Sequence, residues 1–278
     1  MERKGTGRTG AEEVIRSLQN PRVKQWTELQ SRKGREKTGR FVVEGHHLVQ
    51  EALQSDAMPD TVVYSAERRD SCRELLEEAE RQGIECVAVG EEVLAKCTDT
   101  GTPQPVFAVV PKLSWRPQDL LKASEQGGLV AVVDGMQDPG NLGTIIRSAD
   151  AVGASGVLLG KGTVDLYNPK TVRSTMGSMF HLPVVQGDLT EWLPAAAERG
   201  VQVVSTSLQG AVSCYEHDFR KPTWFVIGNE GQGVSPEVQA LAQHNVLIPM
   251  SGRAESLNAA MAATVVLFEA MRQRRMGL

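Results

Sequence analysis

The run Trp224-Phe225-Val226-Ile227-Gly228-Asn229-Glu230-Gly231-Gln232-Gly233 decides how this chain is read. Four apolar residues in a row, without the alternation of a half-solvated strand, suit a parallel strand buried on both faces. The glycines that follow permit positive φ and close approach of backbone to a ligand. Loops of this kind, at the ends of buried strands in an α/β sheet, are where ligands bind. The pattern recurs. Val130-Ala131-Val132-Val133 is a second such run, and Ile248-Pro249-Met250-Ser251-Gly252-Arg253 is a second glycine-punctuated loop that leads through Ser256-Leu257-Asn258 into a long helical segment. The fold class is α/β, and the last third of the chain is expected to carry a binding site.

Outward from these runs, strands alternate with helices in two series. The first runs from strand Phe41 to Glu44 through strand Val106 to Val110, with helices expected over Gly45 to Gln54, Asp70 to Gln82 and Glu91 to Lys96. The second starts at strand Leu129 to Val133 and ends in a helix expected over Ser256 to Arg274. Between them, Pro111, Pro117 and Gly127-Gly128 mark a linker around a short helical segment. The expected domains are a basic helical extension over 1–40, a small α/β domain over 41–110, a linker over 111–128 and a larger α/β domain over 129–278.

Composition narrows the class. With 278 residues, 41% hydrophobic and 23% charged, the chain is long enough for two globular cores. No apolar run approaches the roughly 20 residues that span a bilayer, and Met1 to Gly10 has no signal-peptide core, so a cytoplasmic protein without a membrane partner is expected. Cys72, Cys86, Cys97 and Cys214 show no C-x-x-C pairing, and the five histidines are dispersed, so no metal is expected. The net charge of −4 conceals an asymmetry: residues 1–40 hold eleven Lys or Arg against five Asp or Glu, a local +6. Phosphate affinity depends on local basic surface. Arg32, Lys33, Arg35, Lys37 and Arg40 are therefore either a nucleic-acid contact or a solvated segment.

Three stretches carry chemistry. In Asp138-Pro139-Gly140-Asn141-Leu142-Gly143-Thr144-Ile145-Ile146-Arg147, Asp138 is a good N-cap with Pro139 at the first helical position. Asn141 and Arg147 are six apart, so they reach one site only if Asn141 lies in an irregular first turn; otherwise each serves its own surroundings. The second stretch is Gly228 to Gly233, where Glu230 either binds a ligand or is an exposed turn acid. The third begins at Ser256, a plausible N-cap, and continues with an apolar stripe of helical spacing. No G-x-G-x-x-G follows the strand ending at Val133, and Gly160-Lys161-Gly162 lacks the partners of a phosphate-binding P-loop. A cofactor without phosphates remains open.

Asn141-Leu142-Gly143-Thr144-Ile145-Ile146-Arg147, then Ile227 to Gly233, then Ile248-Pro249-Met250 to Ser256-Leu257-Asn258, resemble in order and spacing the three motifs of the SpoU (TrmH-like) RNA ribose 2′-O-methyltransferases of the SPOUT superfamily. Phe41-Val42-Val43-Glu44-Gly45 and the helix after it resemble the substrate-binding domain, similar to ribosomal protein L30e, that precedes many rRNA-directed members. The resemblance implies a C-terminal α/β trefoil-knot domain with a largely parallel sheet, and S-adenosyl-L-methionine as cofactor. Thr206, Leu208, Gly228, Ile248 and Leu257 then stand at cofactor-contacting positions. Arg147 becomes the catalytic residue, either as a base or as a cation stabilising a developing alkoxide, with Asn141, Glu230, Ser256 and Asn258 shaping the ribose site. A homodimer is implied, and RNA is the implied partner, with 23S rRNA favoured over tRNA. A non-catalytic RNA-binding factor of the same fold is the alternative from another class.

Overall fold

The computed structural model describes residues 13–207 and 211–276. The chain divides into two compact units, the first running to Pro111 and the second from Lys112 onward, with the short segment Ser55–Ala57 grouped with the second.

The first unit is a four-stranded sheet of β1 (Arg40–Glu44), β2 (Thr61–Ser65), β3 (Glu85–Val89) and β4 (Val106–Pro111), in the order β1-β4-β2-β3. β4 is antiparallel to both its neighbours, and β2 and β3 are parallel. Among the described residues, five α-helices belong to this unit: α1 (Pro21–Glu28), α2 (Arg32–Thr38), α3 (His46–Leu53), α4 (Arg73–Arg81) and α5 (Glu91–Cys97). Val23, Trp26 and Leu29 pack with Val63, Leu94 and Phe107, and the Trp26 and Phe107 rings meet edge to face at 5.8 Å. The segment expected as a separate extension is thus part of this core from α1 onward.

α2 explains most of the basic cluster. Ser31 caps its start by accepting from the Gly34 N–H at 3.0 Å, and Gly39 ends it in the left-handed conformation at φ 68°. Arg35, only 3% exposed, donates to the carbonyls of Leu29 and Gln30 at 2.8 Å each, where it closes the turn between α1 and α2. Arg32 pairs with Glu36 at 2.7 Å, Lys37 with Glu28 at 3.5 Å, and Arg40 with Asp60. Neither of the two readings left open for this cluster covers all five cations: Arg35 is a buried structural residue, and Arg32, Lys37 and Arg40 are paired with carboxylates.

The second unit holds β5 (Leu129–Val133), β6 (Gly156–Leu159), β7 (Val184–Gln186), β8 (Gln202–Thr206), β9 (Val212–Ser213), β10 (Thr223–Ile227) and β11 (His244–Leu247). These form one parallel sheet in the order β7-β6-β5-β10-β8-β11-β9. From β5 the chain steps outward to β6 and β7, then crosses to β8, and β10 enters between β5 and β8. The crevice at the carboxyl ends of β5 and β10 is therefore a topological switch point.

Its helices are α6 (Pro117–Glu125), α7 (Pro139–Ala151), α8 (Pro169–Thr175), α9 (Leu189–Ala197), α10 (Pro236–Gln239) and α11 (Ala259–Met276). α7 packs against α8 and α11, while α9 packs against α6 and α10. Leu120 and Leu121 of α6 sit in one core with Val130, Val132, Trp224 and Val226, so the expected linker carries a helix of the domain itself. The Trp224 indole donates to the Ser124 hydroxyl at 2.7 Å, satisfying the polar atom of a fully buried ring. Gly143 lets α7 and α8 approach, since a Cβ there would stand 2.4 Å from the Ser174 Cβ.

Candidate active site

The loops at the carboxyl ends of β5 and β10 are bound to each other. Asp134, buried directly after β5, accepts the Ser235 N–H at 2.7 Å. Asn229 donates to the Gly135 carbonyl at 2.8 Å, while its side-chain oxygen accepts the N–H groups of Gly231 at 2.9 Å and Gln232 at 3.1 Å. Gly228 lies so close to the returning chain that a Cβ would fall 2.1 Å from the Gly233 carbonyl carbon. Only glycine fits that crossing.

Glu230 projects from this loop onto the first turn of α7. Its carboxylate accepts from the Asp138 N–H at 2.9 Å, the Gln137 N–H at 3.1 Å and the Asn141 side-chain amide at 3.1 Å. Burial raises the carboxyl pKa, but these three donors outweigh it and hold Glu230 below the ordinary carboxylate range. A helix N-terminus also favours negative charge. Asp138 is the N-cap the sequence indicates, accepting the Asn141 N–H at 2.8 Å; that bond, with the Lys170 ammonium at 3.1 Å, lowers its pKa.

Asn141 passes the connection onward. Its side-chain oxygen accepts from the Asn258 amide at 3.0 Å, and the Asn258 oxygen accepts the N–H groups of Ala260 at 3.0 Å and Met261 at 3.2 Å. The N-cap of α11 is therefore Asn258, three residues into the expected helix, and Ser256 is exposed in the loop before it. One polar chain runs from Glu230 through Asn141 and Asn258 to the start of α11. A hydrogen bond of 2.7 Å between the Ser148 and Thr264 hydroxyls joins the bodies of α7 and α11 as well.

Arg147 stands apart from this chain. α7 is regular from Pro139, so Asn141 lies in an ordinary first turn and not an irregular one. Six residues of helix then place Arg147 about 120° around and roughly 9 Å along the axis. Its side chain is exposed and has no hydrogen bond or ion pair among the described residues.

Three expected cofactor positions fall on adjacent strands. Thr206 ends β8, Gly228 follows β10 and Ile248 follows β11, all at carboxyl ends in the neighbour order β10-β8-β11. Leu257, exposed directly before α11, closes the series, and Leu208 lies outside the described residues. Ile248 and Leu257 leave apolar surface open, and no hydrogen bond occupies residues 249–257 among the described residues. Open apolar side chains beside unspent backbone groups suit an adenosine, and no phosphate cradle is needed for S-adenosylmethionine. Asp134 and Asn229 escaped the sequence reading. Asn229 between glycines does carry an Asx-turn signal.

Residues 128–268 match the SpoU rRNA Methylase family, and residues 20–108 match an MRM3-like substrate binding domain. The chain belongs to the SpoU rRNA methylase family. It is 37% identical over 254 residues to the 23S rRNA (guanosine(2553)-2′-O)-methyltransferase RlmP of Bacillus subtilis, covering 91% of this chain and 97% of that one. It is 36% identical to the 23S rRNA (uridine(2479)-2′-O)-methyltransferase of Streptomyces viridochromogenes, covering 100% and 98% of the two chains. The solved AdoMet-bound rRNA methyltransferase of Sinorhizobium meliloti superposes with a TM-score of 0.84 at 36% identity, over 95% of this chain and 99% of that one. As a SpoU methylase, the chain is a SPOUT-fold enzyme that uses S-adenosylmethionine.

Proposed function

We propose that this SpoU methylase transfers the methyl group of S-adenosylmethionine to a ribose 2′-hydroxyl of 23S rRNA, with Arg147 as the catalytic residue further along α7 and Glu230, Asn141 and Asn258 holding in place the loops that frame the site without touching Arg147. The observation that carries the reading is the polar chain from Glu230 to the start of α11, because it joins all three motifs into one rigid wall. The cofactor supplies an electrophilic methyl carbon on a sulfonium. Thr206, Gly228, Ile248 and Leu257 hold it at the ends of β8, β10 and β11, and Ser256 lines the ribose side.

Alignment of the hydroxyl with that methyl carbon is the main task, since direct displacement depends on positioning. As the hydroxyl oxygen attacks, it sheds its proton and charge develops on it. A guanidinium is a cation that is not readily deprotonated in a protein, and no side chain among the described residues hydrogen-bonds to Arg147. An exposed, uncommitted cation favours stabilisation of the alkoxide over base catalysis, with the proton passing to solvent.

The first unit engages the RNA before the target reaches this wall. Two copies pair through α11, where Met261 at 55% and Phe268 at 41% exposure share one face seven residues apart, opposite the buried Ala263, Val266 and Ala270. Large exposed apolar side chains on one helix face mark an interface. Full-length similarity to two 23S rRNA enzymes favours rRNA over tRNA and an active enzyme over a non-catalytic factor. The enzyme works in the cytoplasm, on ribosomal RNA. Mapping 2′-O-methyl sites in ribosomal RNA from cells with and without the protein tests the reading: one ribose should lose its methyl group, and an unchanged map would refute it.

A further inference from the structure

A cleft of about 670 Å³ opens at the carboxyl ends of β5, β6 and β10, and neither the cofactor positions nor Arg147 line it. Its volume is in the range of small-molecule sites. Gln137, Gln232, Lys161, Asp188, Thr190 and Glu237 are among the polar residues that line it. Pro236 supplies exposed apolar surface against which a flat ring can lie, and the buried Leu189 and Val238 also line the cleft.

The cleft shares its wall with the catalytic chain. Gln137, a lining residue, gives its backbone N–H to Glu230, and Gln232 is two residues beyond Glu230 in the same loop. That wall is fixed without any ligand. The Gln137 amide donates to the carbonyls of Gly135 at 3.1 Å and Gly162 at 2.5 Å, and Asn229 and Asp134 tie the same loops together. By contrast, the side chains of Lys161, Gln232 and Glu237 carry no hydrogen bond among the described residues. The side chains of Gln137, Asn229 and Asp134 are committed to hydrogen bonds, and those of Lys161, Gln232 and Glu237 are not.

We propose that this cleft receives the unstacked base of the target nucleotide, with Lys161, Gln232 and Glu237 reading its edge while the ribose stays at the Glu230–Asn141 wall. The inference rests on the methyltransferase reading above. Sequence-specific recognition of RNA targets single-stranded loops whose unstacked bases are splayed out, and a splayed base needs a seat that offers ring surface and edge partners. The charge of the cleft selects a base over backbone. Asp134, Asp188 and Glu237 oppose the single Lys161, which repels phosphate, whereas carboxylates accept the N–H groups of a base. Guanine, whose N1–H and N2–H donors are adjacent, matches a carboxylate in two hydrogen bonds.

Photo-crosslinking with full-length protein and unmodified 23S rRNA transcripts carrying 6-thioguanosine or 4-thiouridine tests the seat directly. Crosslinks on peptides containing Lys161, Thr190 or Gln232 are expected, and crosslinks that avoid all of these segments would overturn the proposal. Kinetics supply the second reading. Lys161→Met, Gln232→Ala and Glu237→Gln should each raise KM for the transcript about tenfold, with S-adenosylmethionine affinity by calorimetry unchanged. Parent-like kinetics in all three variants would also overturn it. Absence of methylation by the unsubstituted enzyme would count against the proposed function, while the crosslink map would still decide the cleft.

Discussion

The two loops that flank the expected cofactor site are built in opposite ways. The loop after β10 is held at nearly every residue: Gly228 is wedged against the returning chain, Asn229 bonds its own turn and the loop after β5, and Glu230 accepts three donors. The loop after β11 is open. Residues 250–258 are exposed, and the first hydrogen bond to anchor this loop comes at Asn258, where it ties back to Asn141. One wall is organised by the chain's own hydrogen bonds, and the other leaves its backbone groups unspent. Under the proposed function, the first is the preorganised side and the second is the side on which the cofactor is held.

Glycine substitutions test that contrast most strongly. Gly228→Ala should cost about 1–3 kcal/mol of stability and abolish S-adenosylmethionine binding, because its Cβ would collide with backbone and not with a movable side chain. Thermal melting and calorimetry check both effects, and a parent-like Gly228→Ala would remove the claim of a rigid wall. Asn258→Ala comes next, with a loss of ~1 kcal/mol for the helix cap. Asn258→Asp sharpens it: the cap acceptor stays, the donor to Asn141 goes, and turnover should fall while the melting temperature recovers.

A smaller effect follows from Glu230. Its folded pKa is depressed, so its contribution is complete above the ordinary carboxylate pKa of about 4.3 and is lost as pH falls through the lower folded value. Melting curves of the parent and Glu230→Gln should therefore converge as the solution becomes acid; a constant gap would show that the charge is irrelevant. The smallest effect belongs to the open loop. A Cβ on Gly252 meets nothing within 4 Å, and Gly252→Ala should change stability by no more than about 0.5 kcal/mol.

Legibility in the sequence followed how strongly hydrophobic pattern constrained each element. β5 is found at the residues its apolar run indicates and β10 within one residue of its own, because buried parallel strands leave a continuous signal. α2 was hidden. Its sequence, RKGREKT, has no apolar residue, so periodicity is silent and only Ser31 and Gly39 mark its ends. The same gap made Arg35 look like a surface cation when it closes a turn. At the site, motif order identified Asn141, Glu230 and Asn258 together. The bonds between them span 89 and 117 residues, and no local pattern encodes such distances. The start of α11 was misplaced because Ser256 and Asn258 are both good caps, and the choice was made by a tertiary partner, Asn141.

The most direct test of the account is methyl transfer from labelled S-adenosylmethionine to unmodified 23S rRNA by the purified protein and its Arg147→Ala variant, with the product mapped to the ribose. The account predicts a single 2′-O-methylated nucleotide for the parent, and for the variant a loss of at least about 100-fold in turnover with cofactor affinity and melting temperature unchanged. Full turnover by Arg147→Ala, or methyl groups found on a base, would contradict it.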